Sequence, residues 1–153
     1  MLNRYAVCLD FVSEIELLDV VNVVSNHLGL TAGLDEDALY CVSLAVRESV
    51  TNAIVHGNRN DRNKRVFVEF DLIDGDRQGI AIRIRDQGVG FDQKTLSDPL
   101  TPENLMKPRG RGIFLIRTLM DEMTLRRAAE GGMEIVMVKR IEPQPQSQAD
   151  RVC

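Results

Sequence analysis

Val66, Val68, Phe70 and Leu72 alternate with Phe67, Glu69, Asp71 and Ile73, and Ile80, Ile82 and Ile84 alternate with Ala81, Arg83 and Arg85. Successive side chains on a strand point to opposite faces, so both runs read as strands with one strongly apolar face. Between them stands the turn Asp74-Gly75-Asp76, and a connection this short is unable to make a crossover, which leaves antiparallel pairing. The apolar face of such a hairpin has to be covered, and the flanking segments have helical rather than strand periodicity.

Ahead of the hairpin, Tyr5 to Val12 reads as a strand. Ser13 with Glu14 and Glu16 then signals a helix start, and Leu17, Leu18, Val21, Val24 and Leu28 form a helical stripe that Gly29 is expected to end. A loop is expected from Thr31 to Leu34. Asp35 has the chemistry of an N-cap for a second helix running to about His56, with Gly57 at its end. Behind the hairpin no period survives from Gly90 to Gly110, where Pro99, Pro102 and Pro108 punctuate the chain. A loop of about twenty residues inside a small domain is characteristically a functional lid or unstructured. Gly112 to Met123 is expected to be helical, and Met123–Arg127 with Met133–Arg140 should close the domain as a hairpin around Glu130-Gly131-Gly132. The resulting order is β-α-α-β-β-lid-α-β-β over residues 1–141, an α+β sheet with helices on one face. The Pro, Gln and Ser of residues 142–153 read as a tail outside the fold.

The chain's 153 residues suit one domain with a single core, and a content of 44% hydrophobic and 27% charged residues excludes disorder of the whole. A net charge of −4 argues against a nucleic-acid surface. Cys8, Cys41 and Cys153 show no pairing or metal spacing, which points to a reducing cytoplasm. No apolar run reaches the roughly 20 residues of a membrane span, so no membrane partner is expected.

The second helix carries an anomaly. Leu39, Val42, Val46, Val50 and Ala53 fall on one side, Cys41, Leu44, Ala45 and Val55 gather roughly opposite, and Glu48 and Asn52 lie among the latter. Spaced i,i+4, their side chains point into one volume. Two readings fit. One is a hydrogen-bonded polar pair inside the core; the other is a pocket in which the Asn52 oxygen coordinates a hard cation and Glu48 accepts a proton.

Asp86-Gln87-Gly88-Val89-Gly90 follows a strand directly. An Asp there can accept a hydrogen bond from an exocyclic amine, while glycines admit a ring or a phosphate close to the backbone, although the same pattern occurs in ordinary turns. Arg109-Gly110-Arg111-Gly112 opens the next helix, and its free N–H groups and guanidiniums suit a phosphate or simply a solvated basic turn. Neither a dinucleotide fingerprint nor a P-loop is present: Gln93 stands where a third glycine would be, and nothing matches G-x-x-x-x-G-K-[ST].

Taken in order, Glu48-x-x-x-Asn52, Asp86-x-Gly88-x-Gly90, the long loop and Gly110-x-Gly112 resemble the N, G1 and G2 boxes of the GHKL (histidine-kinase-like) ATPases. The run RESVTNAIVHGN at Arg47–Asn58 is similar to the anti-sigma-factor serine/threonine kinases of bacterial sporulation and stress response. The resemblance spans about residues 4 to 140. It implies a Bergerat-type two-layer α/β sandwich with a mixed, mostly antiparallel sheet. It also implies ATP and Mg²⁺ as ligands, with Asn52 holding the metal, Glu48 acting as catalytic base, and Asp86 with Gly88 and Gly90 contacting adenine. Gly110 and Gly112 would shape the closure over the phosphates. Arg109, Arg111 and Lys107 are assigned to phosphate by charge and position. The implied partners are a STAS-type antagonist whose Ser or Thr is phosphorylated, a sigma factor, and a second copy of the chain in a homodimer. The alternative is a nucleotide-dependent binding module that transfers no phosphate. The sequence departs from the family in one place: the last strand begins Gly132-Met133 where Gly-Thr is usual, so a hydroxyl near adenine is lost.

Overall fold

A computed structural model describes residues 3–89 and 108–142, with side chains from Val7 to Val89 and from Gly110 onward. Of the loop expected from Gly90 to Gly110, the part from Gly90 to Lys107 lies outside the described residues, as do the side chain of Arg109 and the tail 143–153, while residues 108–110 are helical.

Five strands form one sheet: β1 (Asn3–Val12), β2 (Arg65–Ile73), β3 (Gly79–Arg85), β4 (Glu122–Arg127) and β5 (Met133–Arg140), in the spatial order β1-β2-β3-β5-β4. Each pairing is antiparallel, so the mixed component expected of the sheet is not found among the described strands. The hairpin β2–β3 pairs Val68 with Ile84 and Phe70 with Ile82, which puts the alternating apolar residues on one face. That face is buried: Val66, Val68, Phe70, Ile80, Ile82 and Ile84 are all at most 2% exposed. Burying an aliphatic side chain of this size contributes about 1.5–3 kcal/mol, so this face is the main source of cohesion.

The opposite face carries charge. Arg83 bonds Glu69 and Glu134, Arg126 also reaches Glu134, and Arg65 bonds Asp10. Most of these groups are half-exposed, so each pair adds little, but together they keep this face wetted.

Three helices cover the apolar face: α1 (Leu18–Ala32), α2 (Glu36–Thr51) and α3 (Pro108–Leu119). Gly29 does not end α1 as expected. The helix runs on to Ala32, and Gly33, at φ 92°, supplies the left-handed C-cap instead. Asp35 caps α2 as its chemistry predicts, accepting the Ala38 N–H at 2.8 Å. α3 begins at Pro108 rather than Gly112 and stops at Leu119 rather than Met123. Proline suits a first helical position because its missing N–H would have no helical partner.

α2 does not close as an α-helix. It passes into a π-helical turn over Asn52–Gly57, where the Asn58 N–H donates to the Ala53 carbonyl at 2.8 Å. The stretch Glu36–Gly57 is long and apolar enough for a membrane span by length and composition alone. Its packing against α1, α3 and β5 identifies it as the core helix, with Val42, Ala45, Val46, Val50 and Ile54 at most 1% exposed.

Candidate functional site

Glu48 and Asn52 stand one turn apart on α2, and both are half-buried. That partial exposure differs from the full enclosure of a core pair. Both side chains reach the backbone of Gly112 on α3: a methyl placed there would lie 3.0 Å from Glu48 Oε2 and 3.2 Å from Asn52 Nδ2. A larger residue at 112 would push into this carboxylate and amide, so Gly112 keeps the space in front of them open. Gly110 is buried and Arg111 exposed in the first turn of the same helix. The predicted N-box and G2 residues therefore meet at the junction of α2 and α3.

Asp86 is 3% exposed at the end of β3. Its Oδ1 accepts the N–H groups of Gly88 at 2.9 Å and Met133 at 3.1 Å, and its own N–H donates to the Met133 carbonyl at 3.0 Å. Three glycines bring backbone against it. A methyl on Gly57 would sit 2.2 Å from Asp86 Oδ2, and one on Gly132 would sit 2.2 Å from the Asp86 carbonyl oxygen. One on Gly88 would overlap the Gly57 carbonyl oxygen at 2.0 Å. The end of the π-turn, the end of β3 and the start of β5 are thus in backbone contact around one carboxylate.

The two groups are linked by a cleft that Asn52 lines from the first and Asp86 from the second. The rest of its lining is Ser49 and Ala53 from the core helix, Ile84 from β3, Ile113 from α3 and Leu125, Met133 and Ile135 from the last hairpin. A mostly apolar lining that includes one carboxylate and one amide has the chemistry to take an apolar ring with polar edges. Met133 is 4% exposed, so the residue that replaces the usual Thr offers a thioether wall and no hydroxyl.

No cluster of three or more His, Cys, Asp or Glu able to hold a metal by itself occurs among the described residues. Mg²⁺ needs no such cluster: it is commonly held by one or two protein oxygens, with the remainder supplied by waters and ligand phosphates. The carboxamide of Asn52, half-buried at the edge of the cleft, fits that donor set.

Sequence reasoning missed Asn58, Gly57 and Ser49 as site elements, although all three fall inside or beside the motif run. Asn58 is 0% exposed and bonds Ser13, Arg65 and Gln87. Ser49 Oγ donates to the Ala45 carbonyl at 2.7 Å and contacts the Met137 sulfur at 3.6 Å. A periodic pattern marks such residues only as interior polar groups; their partners are remote in the chain.

Comparison with known proteins identifies the family of the domain. The family model of the histidine kinase-like ATPase domain matches residues 11–139. The chain is 33% identical over 145 residues to an anti-sigma F factor of Oceanobacillus iheyensis, covering 92% of this chain and 94% of that one. It is 31% identical over 134 residues to the serine-protein kinase RsbW of Staphylococcus aureus, covering 83% and 81%. Among solved structures, the histidine kinase domain of a blue-light activated histidine kinase from Erythrobacter litoralis superposes with a TM-score of 0.53 at 16% identity. That match covers 82% of this chain and 59% of the other, and it speaks to the fold alone.

Proposed function

Because the chain belongs to the histidine kinase-like ATPase domain family, we propose that it is an ATP-dependent protein-serine/threonine kinase acting as an anti-sigma or partner-switching regulator, with a small STAS-type antagonist as its substrate. The observation that carries the proposal is the approach of Glu48 and Asn52 to Gly112, with Asn52 also lining the cleft that holds Asp86. The names of the relatives, an anti-sigma F factor and a serine-protein kinase, support the regulatory half of the reading.

In this reading Asp86 accepts a hydrogen bond from the adenine amino group, and Gly88 leaves room for the ring. Gly90 is assigned to the same wall by resemblance. Asn52 contributes its carboxamide oxygen to Mg²⁺, Gly110, Gly112 and Arg111 serve the phosphates, and Arg109 is assigned to them by charge and position in the sequence alone. When bound, Mg²⁺ neutralises charge on the β- and γ-phosphates. Glu48 takes the proton of the attacking serine hydroxyl as its oxygen bonds to the γ-phosphorus and the bond to the bridging oxygen of ADP breaks. Phosphoryl transfer of this kind depends on positioning and charge more than on covalent participation, which suits a site with one base and one metal-binding amide. We further assign the chain to the cytoplasm and to a homodimer, with a sigma factor as second partner.

Incubation with Mg²⁺–ATP and the cognate STAS-domain protein should yield a phosphoserine or phosphothreonine on that protein. Glu48→Ala should lower the rate by about 10²–10⁴-fold, the usual contribution of a general base. Undiminished transfer by that variant would remove Glu48 from the base role. ATP-dependent partner binding without any transferred phosphate would favour the binding-module reading instead, to which Met133 lends support.

A further inference from the structure

Asn58 follows the π-turn directly and is fully buried, yet it is not among the residues that line the cleft. Its carboxamide is nevertheless engaged at every position needed to join three remote segments. Nδ2 donates to Ser13 Oγ at 2.7 Å and to the Arg65 carbonyl at 2.9 Å. Oδ1 accepts the N–H of Gln87 at 2.7 Å. Ser13 Oγ in turn donates to the Lys64 carbonyl at 2.8 Å, so the far end of the clamp is itself held.

The peptide unit that Asn58 grips is the one joining Asp86 to Gln87. Its carbonyl end, Asp86 O, lies where Gly132 packs too closely for any side chain. The Gln87 side chain is fixed as well, because its Oε1 accepts the Arg65 N–H at 2.8 Å. This peptide plane is therefore pinned at both ends, and rotating it would swing the Asp86 backbone and with it the direction of the carboxylate. A buried amide serving only the core would be satisfied by any local partners. This one directs its acceptor at the first N–H after the base-reading residue.

We propose that Asn58 is a positioning residue for Asp86, and that its carboxamide sets the preference of the cleft for adenine over guanine nucleotides. The inference rests on the ATP reading given above. A carboxylate held in one orientation accepts from an exocyclic amine and opposes the carbonyl oxygen that guanine presents at that place. A carboxylate free to tilt loses the first interaction and relaxes the second. Affinity for ATP then falls while affinity for GTP does not, which a loss of general stability would not produce.

The test uses the full chain, with calorimetric titration of Mg²⁺–ATP and Mg²⁺–GTP and amide hydrogen exchange at Gln87. Asn58→Ala should weaken ATP binding by roughly five- to tenfold, the scale of one lost buried hydrogen bond. GTP binding should stay unchanged, and exchange at Gln87 should accelerate while that at Ile54 and Val50 does not. Should Asn58→Ala fail to fold, Asn58→Ser, which withdraws both amide donors but leaves a small polar group in the space, is measured in the same way. A folded variant with wild-type Gln87 protection and an unaltered ATP-to-GTP ratio overturns the proposal. Absence of ATP binding by the wild-type protein would instead sink the ATP reading, and the Gln87 exchange would still decide whether Asn58 is the clamp.

Discussion

Two adjacent glycines separate backbone strain from close approach at the resolution of one residue. Gly131 and Gly132 both have left-handed φ, 96° and 81°, but nothing lies within 4 Å of a methyl on Gly131, whereas one on Gly132 meets Asp86 O at 2.2 Å. Gly131→Ala should cost only the conformational penalty of about 1–2 kcal/mol. Gly132→Ala adds a backbone clash, so its melting temperature should fall further than that of Gly131→Ala, for which about 2–8 °C follows at roughly 2–4 °C per kcal/mol. It should also lose ATP affinity, because the Asp86 peptide has to move. Equal losses in melting temperature and no change in ATP affinity would remove Gly132 from the support of Asp86. The site residues that the sequence exposed are those whose chemistry is odd for their surroundings: a carboxylate and an amide in an apolar helix, and an Asp between a strand and glycines. Asn58 escaped because asparagine after a helix-ending glycine is ordinary. Its significance lies in Ser13 and Gln87, 45 and 29 residues away along the chain.

Among the elements, the strands were legible because period two leaves a signature that burial reproduces residue by residue: β2 alternates half-buried and buried from Arg65 to Ile73. Helix ends were less so. Gly29 looked like a stop, but a glycine inside a helix and one at its C-cap have the same identity and differ only in φ. Gly33 four residues later takes the left-handed conformation. The start of α3 was misplaced for a related reason, since the glycines at 110 and 112 drew attention from Pro108. Where a cap has its own side-chain chemistry the reading held, as at Asp35. Asp35→Ala should therefore cost about 1 kcal/mol and lower the melting temperature by about 2–4 °C, with ATP affinity unchanged because the N-terminus of α2 is remote from Asn52 along the helix. A calorimetric scan showing no shift would mean that water replaces the cap without loss.

At the level of the whole molecule, one face of the sheet is dry and covered and the other is charged and open, so the domain has a single core with the cleft at its margin. Ligand binding there should couple directly to global stability. With ATP and Mg²⁺ at about 100 times the dissociation constant, the unfolding free energy should rise by about 2.7 kcal/mol, and Asn52→Ala should abolish the magnesium-dependent part of the shift. A melting temperature indifferent to nucleotide would contradict the ATP reading as directly as an absent phosphorylation. Period, order and glycine spacing were enough to reach this architecture. What they did not carry was the way in which the segments from β1, the core helix, β3 and β5 are tied together around Asp86, because those ties are backbone contacts between residues far apart in sequence.

The π-helical turn has a consequence for how this chain can vary. It places about one more residue per turn between Asn52, proposed to hold the metal, and Asn58, proposed to position Asp86, than an α-helix would. The spacing of the two ends of the nucleotide is therefore held in a count of residues as well as in their identities. Substitutions at Val55 or His56 change side chains and leave that count intact. A single deletion between 52 and 58 would remove the extra residue of the π-turn, replace its i→i−5 bonding by i→i−4, and shift Asn58 relative to Gln87. In this stretch the number of residues is therefore constrained alongside the identities of Asn52, Gly57 and Asn58, so that a change of length disturbs what a change of side chain at Val55 leaves in place.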